Sequence, residues 1–183
     1  RMNLLAMRRI AHLSDLHFGR HSLTVMEDLL ASLHAHEPDL VVLSGDLTQR
    51  ARPGEFLQAR LFINRIVPPR LIVPGNHDVP LYHLFERLLN PFARYERYIA
   101  PLDHPEGFFR DDELAVLGLN SARPFNGIRG RVRTREVGLI AKWFASTPDL
   151  LFRIIVTHHP LGQRGDRLDM AIARHSRFAL DAV

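Results

Sequence analysis

Four short apolar runs in the sequence each end in a cluster of Asp, Asn or His side chains, and this regularity limits the possible folds. The runs predict buried strands over 8–14, 40–43, 71–73 and 152–156, with segments of helical spacing between them. Such alternation is typical of parallel strands joined by right-handed crossovers. Ligands bind outside the carboxyl ends of such strands, so we expect the four polar clusters to meet in one crevice.

The remaining patterns complete an α/β chain in one domain over 1–183. An antiparallel strand pair is predicted on either side of the turn at 111–113. The two paired strands cover 108–110 and 114–120. Helices are predicted over 25–33, 54–66, 82–98, a segment that begins near Thr134, and 168–180. The helix over 82–98 has a break at Asn90 and Pro91.

Composition excludes several classes of protein. At 46% hydrophobic and 24% charged residues, the 183-residue chain has ordinary globular composition. The absence of cysteine excludes disulfides, thiolate metal sites and a thiol nucleophile within this chain. No apolar run approaches the roughly 20 residues that cross a bilayer, so we expect no membrane association, and a cytoplasmic location is the default expectation.

Basic residues are almost all arginine, since Lys142 is the only lysine among 24 basic residues and the formal charge is +4. Arg binds phosphate and carboxylate groups bidentately, which favours an anionic partner, while a composition bias of the source genome is the other explanation. The densest group can receive a substrate phosphate or form a solvated loop; it comprises Arg129, Arg131, Arg133 and Arg135.

The strand-end clusters offer carboxylate, amide and imidazole ligands without thiols, a set that suits Mn, Fe or Zn. Two metals about 3.5–4 Å apart need a bridging carboxylate. Asp46 has the character of that bridge, because Gly45 before it permits close approach.

Each of these residues also has a structural explanation. Asp15 and Asp46 can be helix N-caps, Asn76 can be a turn residue, and His158 can be a buried, hydrogen-bonded histidine. We interpret His159 as a structural neighbour of the ligands. The occurrence of all four clusters at strand ends favours the metal interpretation.

Four segments resemble sequence blocks of a known family. Residues 12–17, 44–46, 75–78 and 157–160 look like four of the five blocks of the calcineurin-like metallophosphoesterases, in the same order and spacing. The first block most resembles the bacterial cyclic-nucleotide-phosphodiesterase-like branch. The resemblance implies an αββα sandwich of two mixed sheets flanked by helices.

The resemblance also implies a role for each matched residue. Asp15 and His17 would hold a first divalent metal, Asp46 would bridge, and Asn76 and His158 would hold a second metal.

In the same way, His77 would be catalytic as a general acid or a phosphoryl ligand, with Asp78 positioning its surroundings, and Asn76 and His77 would contact the substrate. The implied reaction is hydrolysis of a phosphodiester, with a cyclic nucleotide as one candidate, by a hydroxide activated between two metal ions.

The family's fifth block, Gly-His-x-His, does not occur in the sequence up to Val183. We therefore expect a truncated chain whose sandwich is incomplete at its C-terminal end. Two other functions remain open. The protein can be a nuclease or pyrophosphatase of the same superfamily, or an inactive binding module that lacks the last metal ligands. A small phosphoester is the expected partner and a nucleic acid the alternative, and the sequence does not predict an oligomeric state.

Two further segments lie close to the expected crevice. The aromatic side chains of 82–98 either cap a substrate pocket or belong to the core, and Asn120 either faces the crevice or forms a strand-end turn.

Overall fold

The computed structural model describes residues 7–81, 83–103, 107–125, 129–162 and 172–181, which form six strands and six α-helices. The strands are β1 (Ile10–Leu13), β2 (Leu40–Ser44), β3 (Arg70–Val73), β4 (Phe108–Arg110), β5 (Leu114–Gly118) and β6 (Phe152–Val156). The helices are α1 (Leu23–His36), α2 (Pro53–Ile63), α3 (Leu84–Leu89), α4 (Ala93–Tyr98), α5 (Thr134–Ser146) and α6 (Ser176–Leu180). Within these ranges no helix is both long and apolar enough to cross a membrane.

The strands form two sheets of three. The first has the order β1-β2-β3 and is parallel throughout its described strands. The second has the order β4-β5-β6 and is mixed, because β4 runs antiparallel to β5 while β6 runs parallel to it. The predicted α/β fold with two sheets is confirmed.

Strand β2 is buried on both faces and divides the core into two parts. Val41 and Leu43 pack into a cluster with residues of α1, α2 and α4. Leu40 and Val42 point the other way and pack against side chains of the second sheet. This arrangement explains why the run is apolar at every position instead of alternating.

A third apolar cluster covers the outer face of the second sheet. Ile140 of α5 is fully buried there, with Leu117 of β5 and Leu119 directly after it. The layers are therefore helices, first sheet, second sheet and helix, which is the predicted αββα order.

Most predicted elements lie close to their observed positions. The break at Asn90 and Pro91 separates α3 from α4, and the predicted antiparallel pair is β4 and β5. Tyr82 and residues 163–171 lie outside the described residues.

The predicted helix over 168–180 is wrong at 172–175. The Ala173 N–H donates to the carbonyl of Pro160, and Arg174 pairs with Arg131 in a parallel β-bridge. These bonds to neighbouring segments use the main-chain groups that a helix would need, so α6 begins only at Ser176.

Phe56→Ala tests the packing of α2 onto the first sheet. The Phe56 ring is fully buried and stacks on Tyr98 with ring centres 6.0 Å apart. We expect the free energy of unfolding to fall by about 3–5 kcal/mol, because a large buried ring is replaced by a cavity. Urea denaturation followed by circular dichroism measures the change. The matched variant Leu57→Ala, at a half-exposed position of the same helix, should cost about 1 kcal/mol or less; equal costs would contradict this account.

Candidate metal centre

The carboxyl ends of β1, β2, β3 and β6 meet at one edge of the sandwich, and the predicted ligands lie there together. The loop after β1 runs beside the loop after β2, since the Asp15 N–H donates to the Gly45 carbonyl and the His17 N–H to the Asp46 carbonyl. Asn76 begins a short 3-10 turn after β3, and His158 follows β6. The convergence expected from the sequence is therefore present in the structure.

The Asp46 carboxylate is the centre of this group and is only 4% exposed. Its Oδ1 lies 3.4 Å from Nε2 of His158, and its Oδ2 lies 4.0 Å from Nε2 of His17 and 3.9 Å from Nε2 of His77. Burial alone would raise the pKa of Asp46, but the hydrogen bonds and charges of His158 and His77 together outweigh burial and lower that pKa. The site therefore favours a negative charge at this position.

Two groups of ligand atoms share Asp46. One contains His17, Asp46 and His77, and the other contains Asp15, Asp46 and His158; within each group the ligand atoms lie within 4.8 Å of one another. The family resemblance implies a different pairing, of Asp15 with His17, and places His77 outside the ligand set. Asp46 is shared between two sites in the structure and in the implied assignment, but the two divide the other ligands between the sites differently.

The imidazole of His158 is oriented by the main chain. Its Nδ1 donates to the Ser44 carbonyl at 2.8 Å, so the lone pair of a neutral ring is on Nε2. That nitrogen lies 3.2 Å from Oδ1 of Asn76 as well as near Asp46. Three electron-rich atoms face one another here, and a proton or a bound cation would relieve their repulsion. Burial lowers the pKa of His158, but the hydrogen bond and charge of Asp46, the Ser44 carbonyl and the charge of Asp15 together outweigh burial and raise that pKa.

His17 also has the surroundings of a ligand. Its Nδ1 is buried without a hydrogen-bond partner among the described residues, and its Nε2 is 3.7 Å from Oδ1 of Asp15, beyond hydrogen-bond distance. Unpartnered buried polar atoms are rare in folded proteins. With its carboxylate, imidazole and amide groups, the site has a ligand set that fits Mn, Fe or Zn.

Three of these residues have left-handed backbone conformations. The φ angles of Asp15, His17 and Asp46 are 57°, 46° and 51°. Such conformations cost free energy in residues other than glycine and concentrate at functional sites. None of the three is a helix N-cap, which excludes that structural explanation for Asp15 and Asp46.

Glycine is required at two positions around Asp46. A side chain at Gly75 would overlap the Asp46 carboxylate and backbone. Gly45 has φ +91°, and its Cβ would lie 2.8 Å from the ring of His158. The two glycines therefore let the loops of the first sheet and the end of β6 approach one another closely.

His77 faces the same crevice and its ring is fixed by a main-chain contact. Nδ1 donates to the Gln49 carbonyl at 2.8 Å, which leaves Nε2 directed toward Asp46. The His77 N–H donates to Oδ1 of Asp46 at 2.8 Å. The side chain is 38% exposed, so a substrate can reach it.

Asp78 is fully buried and does not face the crevice. It accepts from the N–H groups of Leu47, Thr48 and Gly75 and from the Thr48 hydroxyl. Burial raises the pKa of Asp78 against the opposing effect of these donors. Its contacts join the loop after β2 to the turn after β3, a geometry that supports positioning rather than contact with substrate.

His159 and Ser121 support the turn that carries His158. The Ser121 hydroxyl accepts from the His159 N–H at 3.1 Å and lies 2.9 Å from its Nδ1. Burial and the neighbouring charge of His158 lower the pKa of His159 to about 4, so this buried ring is neutral near pH 7. The sequence predicted a structural role for His159 but gave no signal for Ser121.

The other two candidates have contacts of the kind that their structural explanations predict. Oδ1 of Asn120 accepts from the Ala122 N–H, which is a strand-end turn. In the 82–98 segment the buried Tyr95 hydroxyl donates to the Ile72 carbonyl, while Phe85 is 83% exposed. The aromatic residues that belong to the first core cluster or pack against it are Phe92, Tyr95 and Tyr98.

Gly75→Ala tests whether the close approach to Asp46 is needed. The new methyl group must displace the carboxylate, so we expect manganese bound per chain to fall at least severalfold and the protein to be destabilised. Elemental analysis after gel filtration measures the metal. The control Gly54→Ala adds the same methyl group in α2, where nothing lies within 4 Å of it, and should retain the metal. Equal metal contents in the two variants would show that Asp46 does not need this space.

Comparisons with known proteins agree with this geometry. Residues 8–183 match the family model described as calcineurin-like phosphoesterase. A glycerophosphodiester phosphodiesterase, GpdQ, from Enterobacter lignolyticus is 36% identical over 80 residues, which are 38% of this chain and 29% of that protein. A probable cyclic nucleotide phosphodiesterase from Synechococcus sp. is 28% identical over 134 residues, 72% of this chain and 46% of that protein. The chain thus spans less than half the length of these relatives.

A solved structure shares the fold. The purple acid phosphatase PPD1 from yellow lupin superposes with a TM-score of 0.53 at 15% identity, over 85% of this chain and 31% of that one. The family match over nearly the whole chain, together with the ligand groups at the strand ends, shows that the protein belongs to the calcineurin-like phosphoesterase family.

Proposed function

We propose that the protein hydrolyses a phosphodiester at a centre of two divalent cations. The observation that carries the proposal is the buried carboxylate of Asp46, which two groups of ligand atoms share. A shared carboxylate is what two neighbouring cations need to offset their repulsion. The names of the two curated relatives, a glycerophosphodiesterase and a probable cyclic nucleotide phosphodiesterase, support a phosphodiester as the substrate class.

Five residues would hold the cations. As the family resemblance implies, Asp15 and His17 would bind one, Asn76 and His158 the other, and Asp46 both. The two groups of ligand atoms share Asp46 in the same way but place Asp15 with His158. Bound there, divalent cations lower the pKa of a water nucleophile and neutralise charge on the phosphoryl oxygens. The ligand set does not select among Mn, Fe and Zn.

His77 and Asn76 would act on the oxygen atoms of the substrate. His77 keeps one proton on Nδ1 through the Gln49 carbonyl, so its Nε2 is the atom that can carry a second proton into the crevice. When the bond from phosphorus to the leaving oxygen breaks, that proton passes to the oxygen and prevents the release of a free alkoxide. Asn76 has an amide N–H₂ that can donate to a phosphoryl oxygen while its Oδ1 faces His158.

Asp78 would act only through its neighbours. It fixes the main chain at Thr48 and Gly75, and so sets the positions of Gln49 and Asn76 next to them in the chain. We assign it a positioning role.

Asp46→Asn tests the shared carboxylate. The substitution keeps the shape but removes the charge, so we expect both metals to be weakened and hydrolysis of bis(p-nitrophenyl) phosphate to fall by at least about 10³-fold. The assay is run with added manganese, after chelation and after manganese is restored, and metal content is measured in parallel. Asp28→Asn, on the exposed surface of α1, is the control and should behave as wild type. Two metals retained with substantial turnover would refute the assignment.

His77→Ala separates an acid from a ligand. Loss of a general acid should lower kcat by about 10²–10⁴-fold and leave metal content near the wild-type value. A leaving group of low pKa, such as p-nitrophenolate, needs less protonation, so the loss should be larger for a diester with an alkyl leaving group. His34→Ala serves as the control, because His34 lies at an exposed position of α1. A parallel loss of bound metal would instead make His77 a ligand, as its grouping with His17 allows.

A further inference from the structure

A row of exposed arginines lies beside the candidate metal centre and is not used by the proposed chemistry. Along 129–133 the exposure alternates: Arg129, Arg131 and Arg133 are exposed, whereas Gly130 and Val132 between them are buried. In an extended segment alternate residues share a face, so the three guanidinium groups lie on the outer side. Together with Arg174 they form what we call the arginine stripe.

Hydrogen bonds of the main chain hold the stripe in place. The Arg131 N–H donates to the Ser121 carbonyl. The Val132 N–H donates to the Arg174 carbonyl at 2.9 Å, and the Arg174 N–H donates to the Gly130 carbonyl at 2.8 Å. Arg131 and Arg174 are thus directly paired in a parallel bridge. Like charges placed directly opposite each other are destabilising. The arrangement carries a cost that an anion would relieve.

Within the described ranges, no carboxylate forms an ion pair with an arginine of the stripe. The ion pairs among the described residues involve other arginines. Glu136, the acidic residue nearest along the chain, is bound to Arg123 at 2.8 Å. Burial lowers the pKa of Arg123, and the nearby charges of Arg133 and Arg131 act in the same direction, against the opposing charge and hydrogen bond of Glu136.

The inner side of the same segment contacts the turn that carries His158. Gly130 lies directly against the His159 ring, where any side chain would overlap it. The rings of His158 and His159 are 4.8 Å apart. His159 therefore lies between Gly130, in the middle of the stripe segment, and the proposed metal ligand His158.

We propose that the arginine stripe binds phosphate groups of the substrate other than the one that is cleaved. This inference rests on the proposed function and narrows the substrate to phosphodiesters that carry at least one further phosphate. Guanidinium groups bind phosphate through paired hydrogen bonds, and in extended chain Arg129 and Arg131 are about 6.6 Å apart, as twice the rise per residue requires. A regular row of this kind suits several phosphates in sequence.

The test is a comparison of two ligands that have no diester bond. Thymidine 3′,5′-bisphosphate should bind at least about tenfold more tightly than thymidine 5′-monophosphate, measured by calorimetry with manganese present. The double variant Arg131→Ala/Arg174→Ala should lose this preference. Arg110→Ala removes the same charge from β4, at the opposite end of β5 from Ser121, and should keep it. No preference in wild type, or an undiminished preference in the double variant, would overturn the proposal.

A second measurement follows the melting temperature, first without ligand and then with bisphosphate. If Arg131 and Arg174 repel each other, Arg131→Ala should leave the melting temperature unchanged or raise it, and added bisphosphate should raise the melting temperature of wild type more than that of the variant. A fall in melting temperature without ligand would show that the pair already has a compensating partner and would contradict the proposal.

Further arms identify the source of the phosphates and separate this proposal from the proposed function. If hexathymidylate binds more tightly than the bisphosphate, and its affinity falls steeply with salt, the substrate is a polynucleotide. If the two ligands bind with equal affinity, the substrate is a small molecule. Both results support phosphate binding by the stripe. Hydrolysis of bis(p-nitrophenyl) phosphate is followed separately. Its absence alongside a retained bisphosphate preference refutes the proposed function and leaves phosphate binding by the stripe intact.

Discussion

The negative charge of Asp46 is buried where the loops after β2 and β3 meet, and a buried carboxylate must be compensated by its neighbours. The His77 N–H and the imidazole of His158 provide that compensation from two different sheets. The approach is possible only because no side chain stands at Gly75 or Gly45. The relative position of the two sheets at this edge is thus tied to one carboxylate, and the local backbone conformation follows from the same requirement.

The strand ends were predictable because buried parallel strands leave a plain signal: an apolar run stops at the first residue that reaches the ligand side. This signal alone predicts Asp15, Asp46, Asn76 and His158 at one edge of the fold. The pairing of the ligands was not predictable in this way. Asp15 and His17 have left-handed backbones, so the alternation of side chains along a strand does not extend to them.

The hydrogen bonds that main-chain groups make to the site could not be predicted from the sequence either. Nothing about the Gln49 side chain indicates that its carbonyl orients His77, and Ser121 looks like any residue after a strand. The helix predicted from 168 failed at Ala173 and Arg174 for a related reason. Their helical spacing is a local property, whereas their hydrogen bonds go to segments distant in the chain.

The bond between His77 and the carbonyl of Gln49 has a consequence for how the site can diverge. A carbonyl oxygen is supplied by every amino acid, so the tautomer of His77 does not depend on which side chain stands at position 49. That half-buried side chain is free to vary beside His77, the proposed general acid, without altering which ring nitrogen holds the proton. A substitution at position 49 can therefore change the surface next to His77 while the orientation of the ring stays the same.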